Sequence, residues 1–311
     1  MREAQSVLRD ADRAALESIP GVQARFDHPL APHTSWKIGG PADAWIVVRN
    51  EDQLADLMRL CSRRRIPWFV LGGGSNVLIG DGGIRGIVLR LAGDFTSIEV
   101  TRDDGIVELD AGASASMSLV AAKAASAGAR EIASLAGIPG SMGGSLRMNA
   151  GTDKEVGDFV AGVWVQSPAK PAPHRITVHY YYRHTSLARD AVVTRVAFRF
   201  ERADPLEARK QMQARLVRRK QTQPIGLPNA GSCFRNPEGD KAARLIEAAG
   251  AKGWREGEAE VSPMHANFIN NLGNARARDV ATLLARVRNA VLERFAVELQ
   301  LEVHFVGVFV A

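Results

Sequence analysis

The sequence predicts an α+β fold with a domain boundary near residue 204, and three observations carry that expectation. Strand-length apolar runs and strongly periodic helical segments are both present along the chain. Two separate glycine-rich runs, at 72–76 and 137–151, interrupt them. The composition then changes around residues 203–205, from β-branched and aromatic segments to a basic helix. There is no G-x-G-x-x-G between a strand and a helix and no G-x-x-x-x-G-K-[ST], so neither a Rossmann nor a P-loop reading is open.

In chain order, residues 1–20 read as one amphipathic helix. Val7, Leu8, Ala11 and Leu16 fall near helical spacing, and Pro20-Gly21 is the stop. It is an appendage without chemistry. Gly39-Gly40-Pro41 marks a turn between two strands. Residues 50–65 form a helix in which Asn50 is the N-cap and Gln53 completes a capping box. Leu54, Leu57, Met58 and Cys61 make its apolar stripe, turning Cys61 into the core. A βαβ unit then delivers loop 72–76 at a strand end, a usual place for a binding loop. Asp81-Gly82-Gly83 and Asp104-Gly105 signal hairpins, and an alanine-rich helix over 117–127 is closed by Gly128. Strands follow over 162–166, 175–183 and 192–200. Past the boundary come a basic helix over 206–220, a helix capped by Asp240 and stopped by Gly250, and a strand at 265–269. A long helix over 277–295 puts Val280, Leu283, Leu284, Val287, Val291 and Phe295 on one face, and a closing strand covers 299–310. No internal repeat is evident.

Three consecutive glycines, Gly72-Gly73-Gly74, followed by Ser75-Asn76, remove every Cβ from a tight turn. Backbone N–H groups can then converge on one anion, above all a phosphate. Plain hairpins use such glycines as well. The second run, around Gly140-Ser141-Met142-Gly143-Gly144, changes the balance, since two amide-rich loops can clasp a diphosphate from two sides.

Bulk composition narrows the classes further. A chain 46% hydrophobic and 24% charged buries its core without staples. Cys61 and Cys233 stand far apart and give neither a disulfide framework nor metal-ligand spacing, so no metal is expected and a reducing cytoplasm is the simpler setting. The first twenty residues are charged throughout, unlike a secretory signal. No run approaches the ~18 apolar residues that span a bilayer. The net charge of +6 draws anions. The basic clusters, Arg63-Arg64-Arg65 and Arg215, Arg218, Arg219 and Lys220, lack the interleaved aromatics of a nucleic-acid platform. That favours an anionic cofactor and substrate over nucleic acid.

Seven segments carry a resemblance: SWKIGGPADAW (35–45), LGGGSNVLIGDGGIRGIVL (71–89), GIPGSMGGSLRMNAG (137–151), YRHTS (182–186), AGSCFRNP (230–237), HANFINN (265–271) and LEVHFVG (301–307). In this order they resemble the UDP-N-acetylenolpyruvoylglucosamine reductase family, over nearly the whole chain. The resemblance implies a two-lobed FAD-binding domain of the vanillyl-alcohol-oxidase/PCMH type over 22–204, following the appendage at 1–21. A smaller α+β substrate domain covers 205–311. It further implies non-covalent FAD, NADPH as co-substrate, and reduction of UDP-N-acetylglucosamine enolpyruvate to UDP-N-acetylmuramate for peptidoglycan. A cytoplasmic monomer is expected. The interval between Arg183 and Ser232 is short, as in family members that lack an extra substrate-covering loop. With no Rossmann fingerprint for NADPH, both substrates are expected at the same face of the flavin in turn. The alternatives are an FAD-dependent oxidase on the same scaffold, which needs no NADPH, and a catalytically dead binding protein.

In the implied reaction, hydride from NADPH reaches the methylene carbon of the enolpyruvyl group by way of FAD, and the adjacent carbon of the resulting enolate is then protonated. By resemblance Ser232 is the proton donor, although its residue type in a loop equally suits a backbone cap. Arg183, after three tyrosines, supplies a cation able to hold a carboxylate bidentately, and Tyr182 packs over the substrate. Leu299, Leu301, Val303 and Phe305 take one face of the closing strand, so Glu302 takes the other. By resemblance that face meets the flavin cleft, where a protonated Glu302 hydrogen-bonds the enolate. Asn236 and Lys220 carry over as substrate contacts, Lys220 from a stretch whose register can slip. Arg235 stands where family members often have lysine. For FAD, the resemblance implies Gly39 and Gly40, then Leu71, Gly72, Gly73, Gly74, Ser75 and Asn76. Gly140, Ser141 and Gly144 line the cofactor, flanked by Asn149 and Ala150. Cys233 reads as a packed cysteine, with no partnered histidine in view.

Overall fold

The first lobe is a four-stranded sheet crossed by one helix, in the computed structural model that describes residues 6–103 and 105–310. A short helix α1 (Asp10–Glu17) leads into β1 (Gln23–Pro29), β2 (Pro41–Val48), α2 (Glu51–Arg64), β3 (Trp68–Val70), β4 (Val77–Ile79) and β5 (Ile84–Leu91). The sheet runs β1-β2-β5-β3, with β1 antiparallel to β2 and β5 parallel to both its neighbours. Helix α2 is therefore a crossover whose two strands are separated by β5. Asn50 is its N-cap as expected, but the expected capping box is displaced by one residue, from the N–H of Asn50 to that of Arg49. Asn50 Oδ1 accepts the Gln53 N–H at 2.9 Å, while Gln53 Oε1 accepts the N–H of Arg49 at 2.8 Å. Leu54, Leu57, Met58 and Cys61 are buried on its inner face, each large apolar side chain contributing about 1.5–3 kcal/mol. Burial also pushes the Cys61 thiol up to about 12, so it is not a reactive group.

The second lobe holds β6 (Ile98–Asp103), β7 (Ile106–Gly112), α3 (Met117–Ala127), α4 (Met142–Arg147), β8 (Val160–Gln166), β9 (His174–Ile176), β10 (Tyr180–Tyr181), β11 (His184–Thr185) and β12 (Val192–Glu201). Its five-stranded sheet, β6-β7-β12-β8-β9, is antiparallel throughout, and β10 with β11 forms a separate hairpin. Gly128 ends α3 in the left-handed region, as expected of a helix-closing glycine. One apolar core runs through both lobes.

Helix α5 (Pro205–Thr222) follows, with Asp204 as its N-cap. Then come α6 (Ala242–Ala248), β13 (Arg255–Glu256), β14 (Ala259–Val261), β15 (Ile269–Asn271), α7 (Ala277–Phe295) and β16 (His304–Val306). Strands β13-β14-β15 form a small antiparallel sheet against α7, whose buried face carries Val280, Leu283, Leu284, Val287 and Val291. This C-terminal core also takes in Trp36, Ile38 and Leu78 from the first lobe. Trp36 Nε1 donates to the Ile269 carbonyl at 2.7 Å, and Asn271 Nδ2 donates to the Trp36 carbonyl at 2.9 Å. Strand β16 pairs in parallel with β4, so the chain's last strand returns beside the first glycine loop.

Several local expectations are corrected. The N-terminal helix covers Asp10–Glu17 only; residues 1–5 lie outside the described residues, and Ala11 faces solvent while Asp12 is buried between Arg9 and Arg64. The Asp104 half of the Asp104-Gly105 turn also lies outside the described residues. Asp81-Gly82-Gly83 is a turn but not a hairpin, because β4 and β5 join different sheets. The strand expected over 175–183 breaks into β9 and β10, and Arg183 occupies the turn of the hairpin. Helix α6 starts at Lys241 as N-cap. Asn236 Oδ1 accepts the Ala242 N–H at 3.1 Å, whereas Asp240 accepts from the N–H of Lys241 and pairs with Arg244. The strand at 265–269 shifts to β15, since His265 closes a turn with Phe268. The closing strand shrinks to β16, and Phe305, expected inside, is exposed.

Trp36→Phe removes the donor to a buried carbonyl and should cost about 1–3 kcal/mol of unfolding free energy, read from the midpoint of a urea titration. An unchanged midpoint would show that the link to Ile269 carries no stability.

Candidate active site

The two glycine runs meet backbone to backbone. A Cβ on Gly73 would lie 2.3 Å from Gly140 Cα, and one on Gly72 would lie 2.5 Å from Ser141 Oγ. Gly74, at φ +63°, passes 2.2 Å from the His33 carbonyl oxygen by the same measure. Only glycine fits the backbone approaches at Gly73 and Gly74. Ser75 Oγ crosses to the Pro139 carbonyl at 3.2 Å, the Gly72 carbonyl accepts from the Arg90 guanidinium, and Gly74 O accepts the Ser35 N–H at 3.0 Å. Among the described residues, the N–H groups of Gly72, Gly73, Gly74, Ser75 and Asn76 donate to no protein acceptor. A loop with its carbonyls tied back and its amides free is suited to an anionic phosphate. Gly39 and Gly40 are explained differently. Their Cβ positions would strike Ile79 and the Asp81–Gly83 turn, so the chain's own packing requires them. Leu71 is buried beneath the loop, and Ser141 caps α4 through the Gly144 N–H at 3.4 Å.

Arg183 sits at the centre of the polar site. It takes φ +60° in the β10–β11 turn, uncommon for a residue with a side chain. Its Nε donates to Glu302 Oε1 at 3.0 Å, its Nη1 to Glu155 Oε1 at 2.9 Å and its Nη2 to the Gly151 carbonyl at 3.1 Å. The guanidinium also lies over the Tyr182 ring, 4.7 Å from its centroid, while that ring is half exposed.

Glu302 is held in place through its backbone. Its N–H donates to Cys233 O at 2.8 Å, and its carbonyl accepts from Asn76 Nδ2 at 3.1 Å. The Arg235 N–H donates to Gln300 O at 2.8 Å, and Phe234 bridges Leu301. Residues 233–235 therefore lie antiparallel to 300–302, which sets the loop of Ser232 beside the Glu302 segment. The other side of the Ser232 loop is fixed by Asn267, whose Oδ1 accepts the Phe234 N–H at 2.9 Å. Burial raises the Glu302 carboxyl above the usual carboxylate range, against the opposing pull of Arg183. Burial likewise pushes the Cys233 thiol up to about 12, in keeping with a packed cysteine.

The structure thus brings together Arg183, Tyr182, Glu302, Asn76, Asn149 and the two glycine loops, with the main chain of the Ser232 loop alongside. It gives Asn236 a capping role on α6, and Lys220 is exposed at the end of α5. Ala150 lies beside Asn149 and donates its N–H to Ser145 O at 2.9 Å. Two neighbours were missed by sequence reasoning. Glu155 pairs with Arg183, and Arg235 lies near both Glu302 and His304, depressing the titration of each, with its buried Nε unpartnered among the described residues. A lone glutamate past a glycine run carries no spacing signal. Arg235 was visible only as a cation at a variable position.

Loop amides without protein acceptors from the first lobe, Arg183 from the second and Glu302 from the C-terminal segment meet at one site, and with the matches that follow they make the chain an FAD-dependent oxidoreductase. Residues 42–165 match the family described as FAD binding domain, and residues 223–306 match that described as UDP-N-acetylenolpyruvoylglucosamine reductase, C-terminal domain. The chain is 41% identical over 306 residues to a UDP-N-acetylenolpyruvoylglucosamine reductase of Myxococcus xanthus, covering 97% of this chain and 98% of that one. It is 42% identical over 304 residues to one of Anaeromyxobacter, covering 96% and 94%. The crystal structure of UDP-N-acetylenolpyruvylglucosamine reductase from Thermus caldophilus superposes with a TM-score of 0.76 at 34% identity, over 92% of this chain and 98% of that one. The chain belongs to the UDP-N-acetylenolpyruvoylglucosamine reductase family.

Gly73→Ala should fold yet retain about a tenth or less of the FAD that the parent carries, a loss of about 1.4 kcal/mol in affinity. Flavin absorbance per protein measures it, and full retention would show that the loops can separate without cost.

Proposed function

We propose that this chain reduces UDP-N-acetylglucosamine enolpyruvate to UDP-N-acetylmuramate with NADPH as hydride donor, a step of peptidoglycan precursor synthesis. The observation that carries the reading is the 3.0 Å pair of Arg183 and the part-buried Glu302, set against the Ser232 loop in a member of this family. The hydride chemistry is FAD's to supply when bound, and the free amides of Gly72–Asn76 with Gly140, Ser141 and Gly144 are the groups that would hold it non-covalently.

The remaining work falls to the chain's own residues. The Arg183 guanidinium binds the substrate carboxylate and stays charged at any working pH. Tyr182, under that guanidinium, covers the substrate. Glu302 keeps its proton and donates a hydrogen bond to the carboxylate oxygen on which charge develops. Ser232 then delivers a proton to the neighbouring carbon. A serine hydroxyl is a weak acid, and the cations Arg183 and Arg235 beside the developing enolate make the transfer feasible. Arg235, with its free Nε, is a second cation for the anionic substrate. Both substrates use one face of the flavin in turn, which predicts ping-pong kinetics. The protein acts as a cytoplasmic monomer. Among the described residues no helix is long and apolar enough to cross a membrane.

An anaerobic titration tests the whole reading. NADPH should bleach the flavin band, and only the enolpyruvyl substrate should restore it; bleaching that is reversed by oxygen alone would favour an oxidase. Ser232→Ala should nearly abolish turnover while FAD stays bound, and a surviving rate would refute the assigned proton donor. The pH profile carries a further sign. The proton-bearing form of Glu302 persists above the usual carboxylate range and is lost as pH rises, so kcat should show a basic limb. Glu302→Gln, which cannot titrate, should lack that limb; its persistence would assign it to another group.

A further inference from the structure

Arg183 meets two carboxylates, and Glu302 is only one of them. The other, Glu155, accepts from Arg183 Nη1 at 2.9 Å through Oε1, and from Asn149 Nδ2 at 2.5 Å through Oε2. Asn149 is buried, donates also to the Tyr181 carbonyl at 3.1 Å, and accepts the Gly157 N–H at 2.9 Å. The N–H of Glu155 is held in turn by Asp158 Oδ2 at 2.8 Å. Asn149 therefore fixes one carboxylate oxygen and Asp158 the main chain of Glu155, both from the segment that continues the second glycine run, and the other oxygen is left to Arg183. Through that carboxylate, the hairpin carrying Arg183 is tied to the cofactor lobe.

We propose that Glu155 is a positioning residue of this reaction, which fixes the Arg183 guanidinium between itself and Glu302 so that the bound cation meets the substrate carboxylate in one orientation. The inference rests on the reading of Arg183 and Glu302 given above. Two consequences follow from charge. Glu155 competes with the substrate for a single cation, so it weakens ground-state attraction for the carboxylate while fixing the geometry of the transition state. Glu155 also acts on Glu302, which is faced by Arg183 from the hairpin, by Arg235 and the Cys233 thiol from the Ser232 loop, and by Glu155 from the segment after the second glycine run. Arg183 and Arg235 favour the ionised carboxyl, whereas Glu155 and burial favour the proton-bearing one. Neutralising Glu155 leaves the whole of the Arg183 charge to Glu302, which then loses its proton at lower pH.

The test compares Glu155→Gln and Glu155→Asp with the parent holoenzyme. Glu155→Gln should retain FAD and the parent's rate of bleaching by NADPH. Its kcat should fall roughly tenfold or more with KM for the enolpyruvyl substrate unchanged or lowered, which places the loss in the transition state. Its basic limb should move to lower pH, and product UDP-N-acetylmuramate should bind at least as tightly as to the parent in a calorimetric titration. Glu155→Asp, which keeps the charge, should keep the parent's limb. A raised KM with unchanged kcat, an unmoved limb in Glu155→Gln, or loss of FAD from that variant would each overturn the proposal, the last by making Glu155 a prop of the fold. If the parent itself cannot reoxidise on the enolpyruvyl substrate, the proposed function fails first, and this inference fails with it.

Discussion

The contact on which the rest of the site depends is the meeting of two backbones, Gly73 against Gly140. With a Cβ position 2.3 Å from the opposing Cα, Gly73 cannot carry a side chain without separating the loops, while Gly140 holds φ +97° and its own Cβ position meets Ser75 Oγ at 2.5 Å. Their closeness turns two ordinary turns into one cradle. The carbonyls are drawn back by Arg90, Ser35 and Ser75's reach to Pro139, and the amides of Gly72–Asn76 are left facing outward. A diphosphate is a reasonable occupant because oriented peptide dipoles suit an anion and do so without a lysine.

The Glu302 segment depends on the same loop. Asn76 ends the first glycine run, and its side chain donates to the Glu302 carbonyl while its own carbonyl accepts the His304 N–H at 3.1 Å. Strand β16 runs beside β4 in consequence, and the Ser232 loop pairs along the other side of 300–302. The first glycine loop, the Glu302 segment and the Ser232 loop are thus joined largely through main-chain groups rather than by long side chains. Such joints lose little rotamer entropy on ordering, and a reaction that needs reacting atoms placed within a fraction of an ångström benefits from that. The flexible member is Arg183, and it is the one held by three acceptors.

Much of the fold could be read along the chain. The α2 cap at Asn50, the α3 stop at Gly128 and the α7 apolar face all depend on neighbours within a few residues, and all appear as expected. The errors fall where a distant partner decides. Asp81-Gly82-Gly83 has hairpin chemistry, but β4 finds β16 from the far end of the chain instead of β5. Phe305 fits the inward alternation of a strand, but the closing segment is regular only over His304–Val306, and the ring stays at the surface, stacked on Phe309.

The site divides along the same line. By itself local composition showed which loops lack side chains and which residue types could hold a carboxylate, and strand parity set Glu302 opposite Leu301 and Val303, whereas Ser232 and Glu302 were singled out by the resemblance of their segments. Only the tertiary structure decided that Glu155 shares Arg183 with Glu302, that Arg235 faces the same carboxyl, and that Trp36 belongs to the C-terminal core. A charge acquires its role from what lies a few ångströms away, and in this chain those neighbours come from elements separated by 119 residues for Arg183 and Glu302 and by 233 for Trp36 and Ile269. Local periodicity carries no record of such distances, and burial sets the energies only once the elements have met.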